Sequence, residues 1–367
     1  MNIDFSEKRW KTIKQNYSRW WAGDLKRPLI SVSLSGRTPT RSKPAEPYHH
    51  FNSYYGADFT VAHIVDWYEY QLEGTYFLGD GFPNVWPNYG PGVCAAYLGA
   101  QVESGSMEAP TTWFHPREIK EAKDLHLKVI PDNPWYLIMQ NLYREMQARF
   151  GGMVQLSMTD LGGAMDIVST FRPSERLVFD LYDCPEEVDR LSWEAHDAWW
   201  EVFHTFGKIL DKNPGYTAWT PIFSEQPYYM LQCDFAYMIG PEMFEQFILP
   251  EITAMCKKIP NTFYHLDGAG QLPHLDMLLA IPELKGIQWV PGDGAPDITQ
   301  WPEVHRKIRK AGKLVQIWAG GHSRYGWETL DVIADQLGSA EGLIMIGFGS
   351  IEKDEKTVLK LLDKYGC

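Results

Sequence analysis

The segment Tyr264-His265-Leu266-Asp267-Gly268 sets an imidazole and a carboxylate two positions apart at the end of an apolar run. Side chains alternate along a strand, so His265 and Asp267 share one face with Leu266 on the other. Such a pair suits a base with its orienting carboxylate, or two ligands of a metal ion. It equally suits a satisfied buried histidine beside an aspartate that caps the following turn. Glycines at 268 and 270 leave room for a ligand next to the pair.

Other groups invite the same question. Asp160 follows the run Met153 to Thr159 and precedes Leu161-Gly162-Gly163, where a carboxylate faces a site or caps the next helix. Asp234 follows Leu231-Gln232-Cys233 in a similar position. Gln316 and Trp318 share a face of the run Leu314 to Trp318, whereas Gln288 and Trp289 fall on opposite faces of theirs. A glutamine inside a sheet protein needs partners, which a polar substrate, neighbouring side chains or water can supply. Of the 15 tryptophans, Trp86, Trp113, Trp219, Trp289 and Trp318 lie near candidate strand ends. Their faces suit a sugar, a planar ring system or a quaternary ammonium group, although most tryptophans are core. The sequence holds no G-x-S-x-G elbow and no H-E-x-x-H helix, which sets aside serine-hydrolase and zincin chemistry.

Eight short apolar runs have to position these groups: Leu29 to Leu34, Thr75 to Leu78, Met153 to Thr159, Tyr216 to Trp219, Thr262 to Asp267, Gly286 to Val290, Leu314 to Trp318 and Leu343 to Ile346. Segments of helical spacing lie between them. Cys184-Pro185-Glu186-Glu187 and Gly240-Pro241-Glu242-Met243 place proline at the first helical position and acid in the first turn. Strands alternating with helices predict a single α/β domain over residues 1–367, a (β/α)8 TIM barrel preceded by an N-terminal helical extension. Residues 80 to 135 are rich in Gly, Pro and Trp without periodicity and read as a long irregular insertion in the first half. In such a barrel, chemistry gathers at the C-terminal strand ends.

Acidic residues outnumber basic ones by 47 to 34, giving a formal charge of -13 with no basic run to neutralise a phosphate backbone, so nucleic acid is not an expected partner. No secretory apolar region opens the chain and no membrane-length apolar stretch follows, so a cytoplasmic protein is expected. The five cysteines are scattered without a C-x-x-C pair and read as free, mostly buried thiols.

From Asp234 through Gly240-Pro241-Glu242-Met243-Phe244-Glu245-Gln246-Phe247 and Leu249-Pro250 to Tyr264-His265-Leu266-Asp267-Gly268, the chain resembles the second half of the uroporphyrinogen decarboxylase superfamily. That superfamily contains the decarboxylase and zinc-dependent methyltransferases that work with corrinoid proteins or coenzyme M. Lys26-Arg27-Pro28 with Gly36-Arg37 resembles the decarboxylase's N-terminal arginine segment, and Gly79-Asp80 the region of its essential aspartate. The resemblance implies a (β/α)8 barrel and a homodimer.

The chain departs from both branches. Its C-terminal turn reads Gly347-Phe348-Gly349 where decarboxylases carry a histidine and the methyltransferases a cysteine ligand, and His265-x-Asp267 stands where the methyltransferases have His-x-Cys. The first expectation is therefore metal-assisted methyl transfer from a methylated small molecule to a corrinoid or thiol acceptor. His265 and Asp267 would hold zinc with a third ligand from Asp160, Asp234 or Asp80, and a corrinoid protein would be a partner. A second is a decarboxylase in which Arg37 holds a substrate carboxylate and Asp80 stabilises charge. A third is a sugar-binding or carbohydrate-active barrel, with tryptophans stacked on the sugar and Asp160 and Asp267 as a carboxylate pair. Catalytic candidates are thus His265, Asp267, Asp160 and Asp80; candidate substrate contacts are Arg37, Trp219, Asp234, Gln288, Trp289, Gln316 and Trp318.

Overall fold

Ser6 opens the first helix, Glu7–Trp21, its hydroxyl accepting from the Arg9 N–H. The helix buries Ile13, Tyr17 and Trp20. Trp20 stacks on Phe263 and donates its indole N–H to the Leu343 carbonyl at 3.1 Å, so this N-terminal element seals the sheet where its last strand begins. The computed structural model describes residues 1–106, 110–320 and 323–367.

The described residues form eleven strands: β1 Leu29–Ser35, β2 Thr75–Gly79, β3 Asn84–Val85, β4 Gln101–Ser104, β5 Thr112–His115, β6 Gln155–Leu156, β7 Tyr228–Gln232, β8 Asn261–Asp267, β9 Gly286–Val290, β10 Leu314–Gly320 and β11 Leu343–Ser350. The main sheet has seven strands in the order β2-β1-β11-β10-β9-β8-β7. All its pairings are parallel except that of β2 with β1. β3 and β6 form a separate parallel pair, and β4 and β5 an antiparallel one. The fold is therefore mixed α/β around a central, largely parallel sheet.

Register sets the chemistry on one face. Gln232 pairs with His265, His265 with Gln288, and Gln288 with Gln316. Paired residues of parallel strands lie on the same side, so these four line one face of the sheet. Leu266, Ile287, Trp289 and Ile317 alternate to the other side and are fully buried. Helices Pro302–Lys310, Thr329–Leu337 and Ile351–Tyr365 pack there.

Several expected elements differ from those found. The run Tyr216 to Trp219 is not a strand: Tyr216 makes one isolated bridge to Ser224, with Pro214 and Pro221 on either side. The sheet uses Tyr228–Gln232 instead, a run buried at every position and so lacking the alternation that marks a half-exposed strand. Thr75–Gly79 is a strand but runs antiparallel to β1. Only Gln155–Leu156 of the run 153–159 joins a ladder, with the Ser157 N–H extending it to the Val85 carbonyl. The stretch 80 to 135 contains β3, a helical turn Cys94–Tyr97 and the β4–β5 pair.

Proline starts the helices as its chemistry dictates. Pro185 opens Pro185–Ile209 with Glu186 and Glu187 in its first turn. Pro241 opens a helical stretch that widens into a π-turn over Phe244–Ile248 before continuing as Leu249–Lys258. Pro250 has no N–H to offer the preceding turn, which explains the local widening. All five cysteines are free, with Cys94, Cys233 and Cys256 buried. Among the described residues, no helix is long and apolar enough to cross a membrane.

Candidate functional site

At the C-terminal edge of β7 and β8 three groups converge. Asp234 begins the turn that follows β7, His265 lies near the end of β8, and Asp267 is its last residue. One ligand atom from each lies within 4.8 Å of the others. His265 Nε2 is 3.8 Å from Asp267 Oδ2, with 15% of the imidazole side chain and 42% of the carboxylate side chain exposed. Asp234 is exposed at the rim. The Trp219 ring meets the His265 ring edge-on, 5.1 Å between centroids at 88°.

Beneath them, the His265 Nδ1–H donates to Gln288 Oε1, and Gln288 Nε2–H donates to Gln316 Oε1. Both glutamines are fully buried. The space beside Gly268 and Gly270 is not open for a ligand. The Tyr237 ring occupies it, and a Cβ on Gly268 would come within 2.8 Å of that ring. Gly268 also holds a φ of 80°, which other residues rarely adopt.

Electrostatics make this an anionic pocket centred on one histidine. Burial works against the His265 imidazolium, but the neighbouring Asp267 and Asp234 carboxylates outweigh it and hold the pKa above the ordinary histidine value. Although Asp234 as a residue reaches the surface, desolvation of its carboxyl group raises the pKa; His265 opposes this and the Asp267 charge adds to it. Asp160 is pushed up to about 7, first by burial and then by the charge of Asp234. Among the described residues, no lysine or arginine forms an ion pair with Asp160, Asp234 or Asp267.

The other sequence candidates fall into distinct places. Asp160 caps its own turn, Oδ1 accepting from the Gly162 N–H at 3.0 Å, while remaining within the field of His265 and Asp234. Trp318 packs against Phe348, 6.0 Å between ring centroids, and with Asp267 lines a cleft of about 540 Å³. Trp289 is fully buried beside Trp301. Trp113 lies 58% exposed on β5. Arg37 is outside the cluster, 3.8 Å from Asp4, in a second cleft of about 780 Å³ shared with Ser33, Trp86, Asn88 and Phe348.

Asp80 lies at the start of β1, not among the groups at the end of β8. It accepts from Arg27 Nη1 at 2.6 Å and Nη2 at 2.9 Å, from Asn16 Nδ2 at 2.8 Å and from the Ile30 N–H at 3.1 Å. Four donors occupy its oxygens, and the side chain is 1% exposed. Its work in this position is to anchor Arg27 and the entry to β1.

One contributor has no signature in the sequence. Asp166, in the first turn of helix Ala164–Phe171, accepts from the Phe235 N–H at 2.9 Å and so ties that helix to the turn carrying Asp234. In sequence it reads only as an acid complementing a helix dipole.

No protein-family model and no curated protein sequence matches this chain. Among solved structures, its fold is similar to that of a methyltransferase from Methanosarcina mazei, with a TM-score of 0.58 and 13% sequence identity, covering 97% of this chain and 99% of that one. At that identity the likeness is one of fold.

Proposed function

We propose that this chain is an enzyme of metal-assisted methyl transfer, moving a methyl group from a methylated small molecule to a corrinoid or thiol acceptor. The observation that carries the reading is the His265 environment. Its Nδ1–H is committed to Gln288, so the neutral ring turns a lone pair toward two carboxylates. A lone pair facing anions is relieved by a proton on Nε2 or by a bound cation, and the convergence of three ligand atoms favours the cation.

The donor set fits a divalent ion: one imidazole nitrogen and carboxylate oxygens from Asp234 and Asp267, with a histidine oriented through its far nitrogen, as metal-bound histidines are. It is harder than a thiolate set and contains no sulfur. An ion such as zinc held there would polarise the heteroatom that carries or receives the methyl group. The chain's own groups do the remainder. Trp219 walls one side of His265, the cleft beside Asp267 and Trp318 receives the small molecule, and Asp160 is poised to hold or release a proton near neutral pH. The likeness in fold to a methyltransferase supports the reading.

The same reading includes closure of the architecture as a (β/α)8 barrel, with β1, β3, β6 and β7 to β11 as its eight staves. Backbone bonds from Gln155 to Pro83, Ser157 to Val85 and Met158 to Thr217 support the side that the main sheet leaves open.

The test is a transfer assay. Zinc-loaded protein is mixed with methylated amines, thioethers and aryl methyl ethers in the presence of cob(I)alamin, and methylcobalamin is followed by its absorbance. Formation that depends on one donor class and disappears in His265→Ala is the expected result. Equal, background-level methylation with both proteins across all donors would overturn it.

A further inference from the structure

His265, Gln288 and Gln316 are immediate neighbours across β8, β9 and β10. Two carboxamides with no solvent exposure are a costly way to fill space, since each polar atom must find a partner. Here the hydrogen bonds run in one direction, from His265 Nδ1–H to Gln288 and from Gln288 Nε2–H to Gln316. The chain ends at Gln316 Nε2, which is buried without a hydrogen-bond partner among the described residues. Thus one end of the relay is left incomplete while the other is committed to the imidazole.

Direction matters because it selects the tautomer. With Gln288 Oε1 accepting, the neutral ring keeps its proton on Nδ1, and Nε2 offers a lone pair. With both amides reversed, Gln288 would donate to Nδ1, and Nε2 would carry the proton and point it at Asp267. The first arrangement makes a cation ligand; the second makes a hydrogen-bond donor.

We propose that Gln288, held in orientation by Gln316, is a positioning residue that fixes His265 in the Nδ1–H tautomer and so presents Nε2 to a cation shared with Asp234 and Asp267. This rests on the metal-centre reading above, but the tautomer is observable without metal. In protein carrying ¹⁵N-labelled histidine, with the ring neutral and the His265 signal assigned by its loss in His265→Gln, the wild type shows the Nδ1–H pattern. Gln288→Leu removes that preference and lowers zinc affinity by about 10- to 100-fold. Gln288→Glu keeps both the tautomer and zinc affinity within about threefold of wild type, because a carboxylate accepts from Nδ1–H as the amide oxygen does. In that variant Gln316 can turn its unpartnered Nε2 toward the new acceptor, which also favours folding.

An Nε2–H tautomer in the wild type overturns the proposal. So does an unchanged zinc affinity in Gln288→Leu, or a loss in Gln288→Glu as large as in Gln288→Leu. If the wild type takes up no zinc, the metal reading fails and the tautomer alone judges the relay. If Gln288→Leu does not fold, the wild-type spectrum and Gln288→Glu decide.

Discussion

Two carboxylate clusters in this molecule are built on opposite principles. At the start of β1, Asp80 sits among a bidentate guanidinium, a carboxamide and a backbone N–H, with every acceptor position used. At the end of β8, Asp234 and Asp267 face a histidine, with Asp160 nearby and no ion pair to lysine or arginine among the described residues. Asp80 is fully buried, whereas Asp234 and Asp267 reach solvent at the rim, so the clusters differ in exposure as well as in partners. The first brings its own cation, Arg27, and is complete as folded. The second sets its carboxylates against a single histidine, the pattern from which the metal-centre proposal is argued.

The contrast breaks most visibly at Asp80. Asp80→Ala strands the Arg27 guanidinium, whose side chain is 17% exposed, and is expected to cost about 3–5 kcal/mol in urea unfolding while zinc uptake by the folded fraction stays unchanged. A loss of zinc binding in that fraction would erase the separation between the two clusters.

Asp160 responds in the other sense. Its pKa rises from 3.8 to about 7 on folding, so its stabilising contribution in the metal-free protein is whole below pH 3.8 and is lost as pH rises through about 7. Asp160→Asn removes that slope and makes the metal-free protein more stable near pH 8 by on the order of 2 kcal/mol, with little change near pH 4. Unfolding midpoints measured across this range check it; identical pH slopes in the two proteins would remove Asp160 from the anionic cluster.

The smallest effect belongs to the aromatic wall. Trp219→Leu loses the edge contact with His265 and is expected to weaken zinc binding by about 1 kcal/mol, roughly fivefold, by titration, whereas Trp219→Phe retains most of it. A hundredfold loss in Trp219→Phe would mean that the indole does more than pack.

Much of the site was legible in sequence because strand periodicity is simple. His265 and Asp267 do share a face, and Gln288 and Gln316 lie on that same face. Their direct hydrogen bonding was not legible, since it depends on inter-strand register, which no local pattern encodes. The place of Asp234 was only half legible: the apolar run before it was visible, but Tyr228–Gln232 is buried throughout and lacks the alternation of a strand, so Tyr216 to Trp219 took its place among the expected strands. Gly268 and Gly270 suggested space for a ligand, yet a residue about thirty positions earlier, Tyr237, fills it. For Asp80, sequence offered a neighbour in resemblance but not the Arg27 and Asn16 partners that long-range packing delivers.

Metal content by mass spectrometry, on protein purified without added metal and without a chelating tag, decides whether the cluster holds an ion when wild type is compared with His265→Ala and Asp267→Ala. Wild-type protein is expected to carry about one divalent ion per chain, lost in both variants, each still folded by near-ultraviolet circular dichroism. Wild-type protein that takes up no stoichiometric ion even when zinc is supplied, or variants that retain the ion fully, would contradict the metal-centre proposal.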